Sequence, residues 1–143
     1  MTPDAVVHLI DDDDGVRQAL AFLLTASGFA VRIYDSATTF LAGLSGLQPG
    51  CIVTDVRMPG MDGLALQREL KARRIGLPVI VLTGHGDVQL AVEAMKAGAV
   101  DFIEKPFDDE KLLSAIRVAI DRQVRDVHRE SEVAAVEARL ALL

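Results

Sequence analysis

The chain has 143 residues, a length that suits one domain with a short appendage. Its 15 Lys and Arg against 21 Asp and Glu leave a net charge of −6, the wrong sign for coating a phosphate backbone, so the chain is not expected to bind nucleic acid by itself. A content of 50% hydrophobic and 25% charged residues excludes a disordered tail, no run approaches the roughly 20 apolar residues of a membrane span, and the acidic start is unlike a signal peptide, so no membrane association and a cytoplasmic location are expected.

Taken in chain order, apolar β-branched runs alternate with helix-period stretches, the pattern of a parallel sheet with crossover helices. Strands are predicted over 6–10, 30–34, 51–54, 79–82 and 100–104. Between the first two, Ala19, Leu20, Leu23 and Leu24 form a helical stripe that ends at Gly28. Phe40, Leu41 and Leu44 make a second helical stripe after Ser36, with that serine as N-cap. Leu64, Leu66 and Leu70 mark a third helix, stopped by Gly76 and Pro78. Val88, Ala91, Val92 and Met95 mark a fourth, ending at Gly98, and each stripe is expected to face the sheet. A fifth starts near Asp108 and carries Leu112, Leu113, Ile116 and Ile120. The prediction is an α/β fold of type (βα)5, doubly wound, over residues 1–122.

Residues 121–143 contain no Gly or Pro and are expected to continue as helix, so that 123–143 reads as a helical extension. Val133, Val136, Leu140 and Leu143 follow a 3-4-3 spacing out of phase with Ile116, Ile120 and Val127, which favours a solvated linker helix over a coiled coil. Cys51 opens an apolar run and is expected to be a buried, inert thiol. His8, His85 and His128 are widely separated and form no metal cluster.

Four aspartates, Asp11 to Asp14, follow the first strand directly. Asp13 or Asp14 reads as a helix N-cap, but Asp11 and Asp12 fall at the carboxyl end of a central strand, where open α/β sheets bind ligands. Asp55 closes the third strand in the same way. Three carboxylates in one crevice repel one another, so at least one should have a raised pKa unless a cation is present. Oxygen ligands without a His or Cys cluster suit Mg²⁺. Thr83 and Lys105 end the fourth and fifth strands and add a hydroxyl and an ammonium. A carboxylate nucleophile, a cation site, a hydroxyl and a fixed positive charge are the parts needed for a phosphoryl group passing onto an oxygen. Pro106 follows Lys105, and a cis peptide there is one way to aim the lysine inward.

Asp11-Asp12, the run from Val53-Thr54-Asp55 through Met58-Pro59-Gly60 to Asp62-Gly63, the pair Thr83-Gly84 and Lys105-Pro106-Phe107 resemble the receiver domain of two-component response regulators. The stretches Thr83-Gly84-His85-Gly86-Asp87, Ala94 to Ala99 and Asp101 to Phe107 are similar to the FixJ branch of that family. The resemblance covers residues 5 to about 122 and implies a flavodoxin-like sheet of order 2-1-3-4-5. It implies that Asp55 accepts a phosphoryl group from a partner histidine kinase. Asp12, Asp55 and the backbone carbonyl of Arg57 would hold Mg²⁺, with Asp11 acting through the metal's waters or as a shared ligand. Thr83 and Lys105 would bind phosphoryl oxygens, and Arg57 and His85 would set the lifetime of the phosphoryl group. Phe102 would turn inward as Thr83 moves, remodelling the face of the fourth helix and fifth strand and promoting a homodimer.

Two other readings differ in class. A Mg²⁺-dependent phosphatase of the haloacid-dehalogenase type wants a second Asp two residues after the nucleophile, where this chain has Arg57. A binding module that has lost phosphorylation does not explain an intact Asp55, Thr83 and Lys105. The chain is therefore expected to be a signalling domain and not an enzyme, with at most self-phosphorylation and self-dephosphorylation. A regulator of this branch carries a helix-turn-helix output domain after the linker; none is present here, so DNA contact is expected to belong to that missing domain.

Overall fold

Charge-poor β-branched runs that cannot be solvated on either face must be covered on both, and three such runs form the middle of a five-stranded sheet in this protein. The computed structural model describes residues 5–84 and 86–123. In chain order the elements are β1 (Val6–Ile10), α1 (Asp14–Ala26), β2 (Ala30–Tyr34), α2 (Ala37–Ala42), β3 (Gly50–Asp55), α3 (Gly63–Ala72), β4 (Val79–Thr83), α4 (Val88–Lys96) and β5 (Asp101–Glu104). A final helix, α5, occupies 109–123. The strands pair in parallel in the order β2-β1-β3-β4-β5, the doubly wound flavodoxin-like topology. Strands β3 and β4 each end one residue later than the sequence pattern predicts, and β3 also begins one earlier, so that Asp55 and Thr83 are themselves strand-terminal.

Side chains alternate across the sheet and build a core on each face. Val7, Leu9, Cys51, Val53, Ile80 and Leu82 face one layer, where they meet Leu20 and Leu24 of α1 and Leu112, Ile116 and Ile120 of α5. Ile10, Ile52, Val79 and Val81 face the other, packed with Phe40, Leu64, Leu66 and Leu70. Strands β1 and β4 are buried along their whole length, whereas the edge strand β2 is half exposed. Cys51 is a free, buried thiol, and burial pushes its pKa up to about 12, in line with an inert role.

Helix starts follow the polar residues that precede them. Asp13 accepts from the amide of Val16 at 3.0 Å, Ser36 from that of Thr39 at 3.1 Å, and Asp62 from that of Ala65 at 2.8 Å. The fourth helix departs from expectation: Ala91 and Ala94 are buried, while Val88, Val92 and Met95 are 64%, 46% and 39% exposed. Small side chains let α4 approach its neighbours closely, and the larger apolar residues of the predicted stripe are left on its outer side. Ala19 of α1 is likewise exposed.

Of the histidines, His8 is buried beside Tyr34 and Phe40, donating from Nε2 to the carbonyl of Gln48 at 2.9 Å. His85, His128 and the spaced apolar residues of 124–143 lie outside the described residues. Among the described residues no helix is long and apolar enough to cross a membrane.

Candidate functional site

Parallel register brings the strand ends to one edge. Ile10 pairs with Thr54, Asp55 with Leu82, and Thr83 with Glu104, so the residues that follow β1 and close β3, β4 and β5 share a rim. The chain winds in opposite directions from β1 to its neighbours β2 and β3, and the rim above β1 and β3 is the crevice left by that reversal.

Asp11 is fully buried at this rim. Its amide donates to the carbonyl of Tyr34 at 3.2 Å, its own carbonyl accepts from Arg17 Nη1 at 2.8 Å, and its Oδ1 accepts from the amide of Asp13 at 2.9 Å. The second oxygen, Oδ2, is buried with no hydrogen-bond partner and lies 3.7 Å from Lys105 Nζ. Burial pushes the Asp11 carboxyl above the usual carboxylate range; the Asp13 amide and Lys105 oppose the rise, and the charges of Asp55 and Asp12 add to it. Repulsion among the acids, the cause expected from the sequence, is thus the smaller contribution.

Asp55 is half-buried, and its two oxygens are used differently: Oδ1 accepts from the amide of Arg57 at 3.2 Å and Oδ2 from Lys105 Nζ at 3.0 Å. The lysine is carried on the residue after β5, where its amide donates to the carbonyl of Thr83 at 2.7 Å and its peptide bond to Pro106 is cis. Thr83 is 2% exposed. Behind Asp55, the loop to α3 folds back so tightly that a Cβ on Gly63 would lie 2.8 Å from the carbonyl oxygen of Asp55 and 2.9 Å from Cα of Val56. Only glycine allows that approach, and the amide of Gly63 uses it to reach the carbonyl of Val56 at 2.9 Å.

One oxygen each from Asp11, Asp12 and Asp55 lies within 4.8 Å of the others, a set of hard donors. That geometry, with a buried Asp11 oxygen that lacks a hydrogen bond and no softer ligand in the group, fits Mg²⁺. Asp12 is exposed and stands at the mouth of the crevice.

The structure brings Asp11, Asp12, Asp55 and Lys105 together and seats Thr83 at the same rim. Phe102 lies apart, 38% exposed on β5. Arg57 turns its side chain away from the acids: Nε and Nη2 each reach Asp87 at 2.9 Å. This pairing holds the Asp87 carboxyl below its ordinary range and raises the Arg57 guanidinium. Asp87 precedes α4 but makes no side-chain cap bond, since both its oxygens are engaged by Arg57. Neither this tie nor the reach of Arg17 to Asp11 was predicted from the sequence. Arg17 could have been found, because it occupies a buried position three residues before Leu20 and seven before Leu24. The contact between Arg57 and Asp87 spans 30 residues, and no local pattern signals it.

Comparison with known proteins identifies the family. Residues 7–117 match the model of the response regulator receiver domain. The chain is 55% identical over 135 residues to the transcriptional regulatory protein FixJ of Azorhizobium caulinodans, covering 94% of this chain and 64% of that protein. It is 49% identical over 144 residues to FixJ of Bradyrhizobium diazoefficiens, covering 100% of this chain and 70% of that protein. It therefore spans about two-thirds of the length of these relatives. Among solved structures, that of FixJ-N superposes with a TM-score of 0.81 at 53% identity, over 84% of this chain and 96% of that one. Full-length FixJ from B. japonicum gives a TM-score of 0.83 at 47% identity, over 99% and 70% respectively.

Proposed function

The chain belongs to the response regulator receiver family, as a FixJ-like two-component signalling domain, and on that premise we propose that Asp55 accepts a phosphoryl group from a phosphohistidine on a partner kinase. A carboxylate oxygen of Asp55 attacks phosphorus, the bond from phosphorus to the histidine nitrogen breaks, and the histidine leaves with that electron pair, giving an acyl phosphate on Asp55. Asp12, Asp55 and the Arg57 carbonyl would hold Mg²⁺, with Asp11 engaging its waters or sharing it. When bound, the ion supplies positive charge against the phosphoryl oxygens and the acidic pocket. Lys105 gives the same oxygens a second, fixed cation, and Thr83 donates its hydroxyl to one of them. The observation that carries this reading is the convergence of three carboxylates and the Lys105 ammonium at the end of β3, with Asp11 Oδ2 buried and without a hydrogen bond.

A phosphoryl group adds about two negative charges at Asp55. Thr83 gains a hydrogen bond by moving toward them, the loop before α4 follows, and Phe102 turns inward. The face this remodels already exposes Val88, Val92, Met95 and Phe102, an apolar surface suited to a second copy of the chain. Phosphorylation thereby favours a homodimer, and a coupling of about 1–3 kcal/mol shifts that equilibrium roughly 5- to 150-fold. Residues 1–122 form the receiver unit and 123–143 the linker to a DNA-binding output domain, through which the regulator acts on transcription in the cytoplasm. Beryllium fluoride with Mg²⁺ should raise the dimer fraction seen by sedimentation, and Asp55→Asn should abolish the response. A mutant that dimerises like the wild type would exclude Asp55 as the acceptor.

A further inference from the structure

Arginine is rarely buried without a specific partner, and Arg17 is 8% exposed on the inward side of α1, in line with Leu20 and Leu24. Its guanidinium divides between two acceptors: Nη1 donates to the main-chain carbonyl of Asp11 at 2.8 Å in a buried bond, and Nη2 pairs with the carboxylate of Asp14. The first acceptor is the informative one. The peptide unit that begins with the Asp11 carbonyl is planar and joins the Cα atoms of Asp11 and Asp12. Its orientation sets the direction in which both carboxylates leave the backbone. Three contacts fix that unit and its approach: the amide of Asp11 on Tyr34, the amide of Asp13 on Asp11 Oδ1, and the guanidinium on the carbonyl. Of these only the last comes from a side chain outside the loop.

We propose that Arg17 is a positioning residue for the cation site, holding the Asp11–Asp12 peptide in the orientation that presents both carboxylates to one ion. The proposal rests on the magnesium reading above. Without the guanidinium, the buried carbonyl lacks a donor and the peptide rotates toward water. Arg17 touches neither the ion nor the phosphoryl group in this arrangement; it acts through the backbone. Asp14, exposed at the start of α1, steadies the other arm of the fork and keeps the guanidinium from swinging away.

The test is titration calorimetry of magnesium chloride into the full chain, with thermal unfolding in chelator measured alongside. Arg17→Met should weaken magnesium binding by about 10- to 100-fold, the range found when a group that orients a metal ligand is removed. Arg17→Gln, polar but too short to reach the Asp11 carbonyl, should behave alike and serves if the methionine variant does not fold. Leu24→Val, a packing change on the same helix, should lower the unfolding temperature and leave magnesium affinity at the wild-type value. Wild-type affinity in a folded Arg17 variant, or an equal loss in Leu24→Val, overturns the proposal. A wild type that takes up no magnesium overturns the metal reading itself, a result told apart because Asp12→Asn then matches the wild type.

Discussion

Lys105 Nζ lies 3.0 Å from Asp55 Oδ2 and also 3.7 Å from the buried Oδ2 of Asp11, so one ammonium bridges the carboxylate that closes β3 and the one that follows β1. A cation so placed neutralises charge at rest and meets the oxygens of an incoming phosphoryl group without further reorganisation. Lys105→Ala should therefore slow labelling by a small phosphodonor by about 100-fold, the usual effect of deleting one preorganised donor at a charged transition state. A labelling rate within a factor of two of wild type, measured on folded protein, would contradict this role.

Asp11 carries a conflict between stability and chemistry. Burial raises its pKa, so the native state holds its proton more tightly than the unfolded chain, and stability declines as pH rises from the ordinary carboxylate value through the raised one. In metal-free protein at neutral pH the charged form is thus a burden. Asp11→Asn keeps an acceptor for the Asp13 amide and removes the charge, and should raise metal-free stability by about 1 kcal/mol. Denaturant melts in chelator check the gain, and magnesium titration of the same variant should show weakened binding. A destabilised variant would contradict a charge penalty at Asp11.

The buried ring of His8 predicts the opposite dependence. Burial lowers its pKa, the Gln48 carbonyl partly offsets this, and the charge of Arg32 adds to the lowering. The unfolded chain then binds the proton more readily, so stability is full above the unfolded value of about 6.5 and falls as pH drops from there toward the lowered native value. The slope contributed by one such group reaches at most about 1.4 kcal/mol per pH unit. His8→Asn, though less stable overall, should show a flatter profile below about pH 6.5 in urea melts. Parallel profiles would remove His8 as the cause.

Gly63 is the point at which the loop after Asp55 is pressed against the strand. A methyl group there would stand 2.8 Å from the Asp55 carbonyl oxygen, and main-chain atoms cannot yield as a flexible side chain can. Gly63→Ala should cost about 1–3 kcal/mol, the range for overpacking a tight site, and shift Asp55 enough to slow its labelling. Chemical denaturation gives the first value and phosphodonor kinetics the second. A variant as stable as wild type would show that the loop can retreat freely.

Much of this was legible in the sequence for a physical reason. Strands buried on both faces must be almost free of charge, so Ile52-Val53-Thr54 and Val79 to Leu82 are readable as central strands, and the residues that break those runs, Asp55 and Thr83, are readable as their ends. Once the strands are known to be parallel, their ends must meet, which places Asp11, Asp12, Asp55 and Lys105 together. The outward side of α4 was not legible, because periodicity locates an apolar stripe without saying whether it meets the sheet or the solvent; Ala91 and Ala94 hold the inner side instead. Nor was the fork of Arg57 on Asp87, which depends on where two loops arrive and not on any local spacing.

Whether Asp55 receives the phosphoryl group is tested by labelling with acetyl phosphate and Mg²⁺ followed by mapping of the acid-labile site. A single modified residue, Asp55, is expected, with labelling lost in Asp55→Asn and in chelator, and this is the assignment at stake. Label on a different residue, or undiminished label in that mutant, would contradict it.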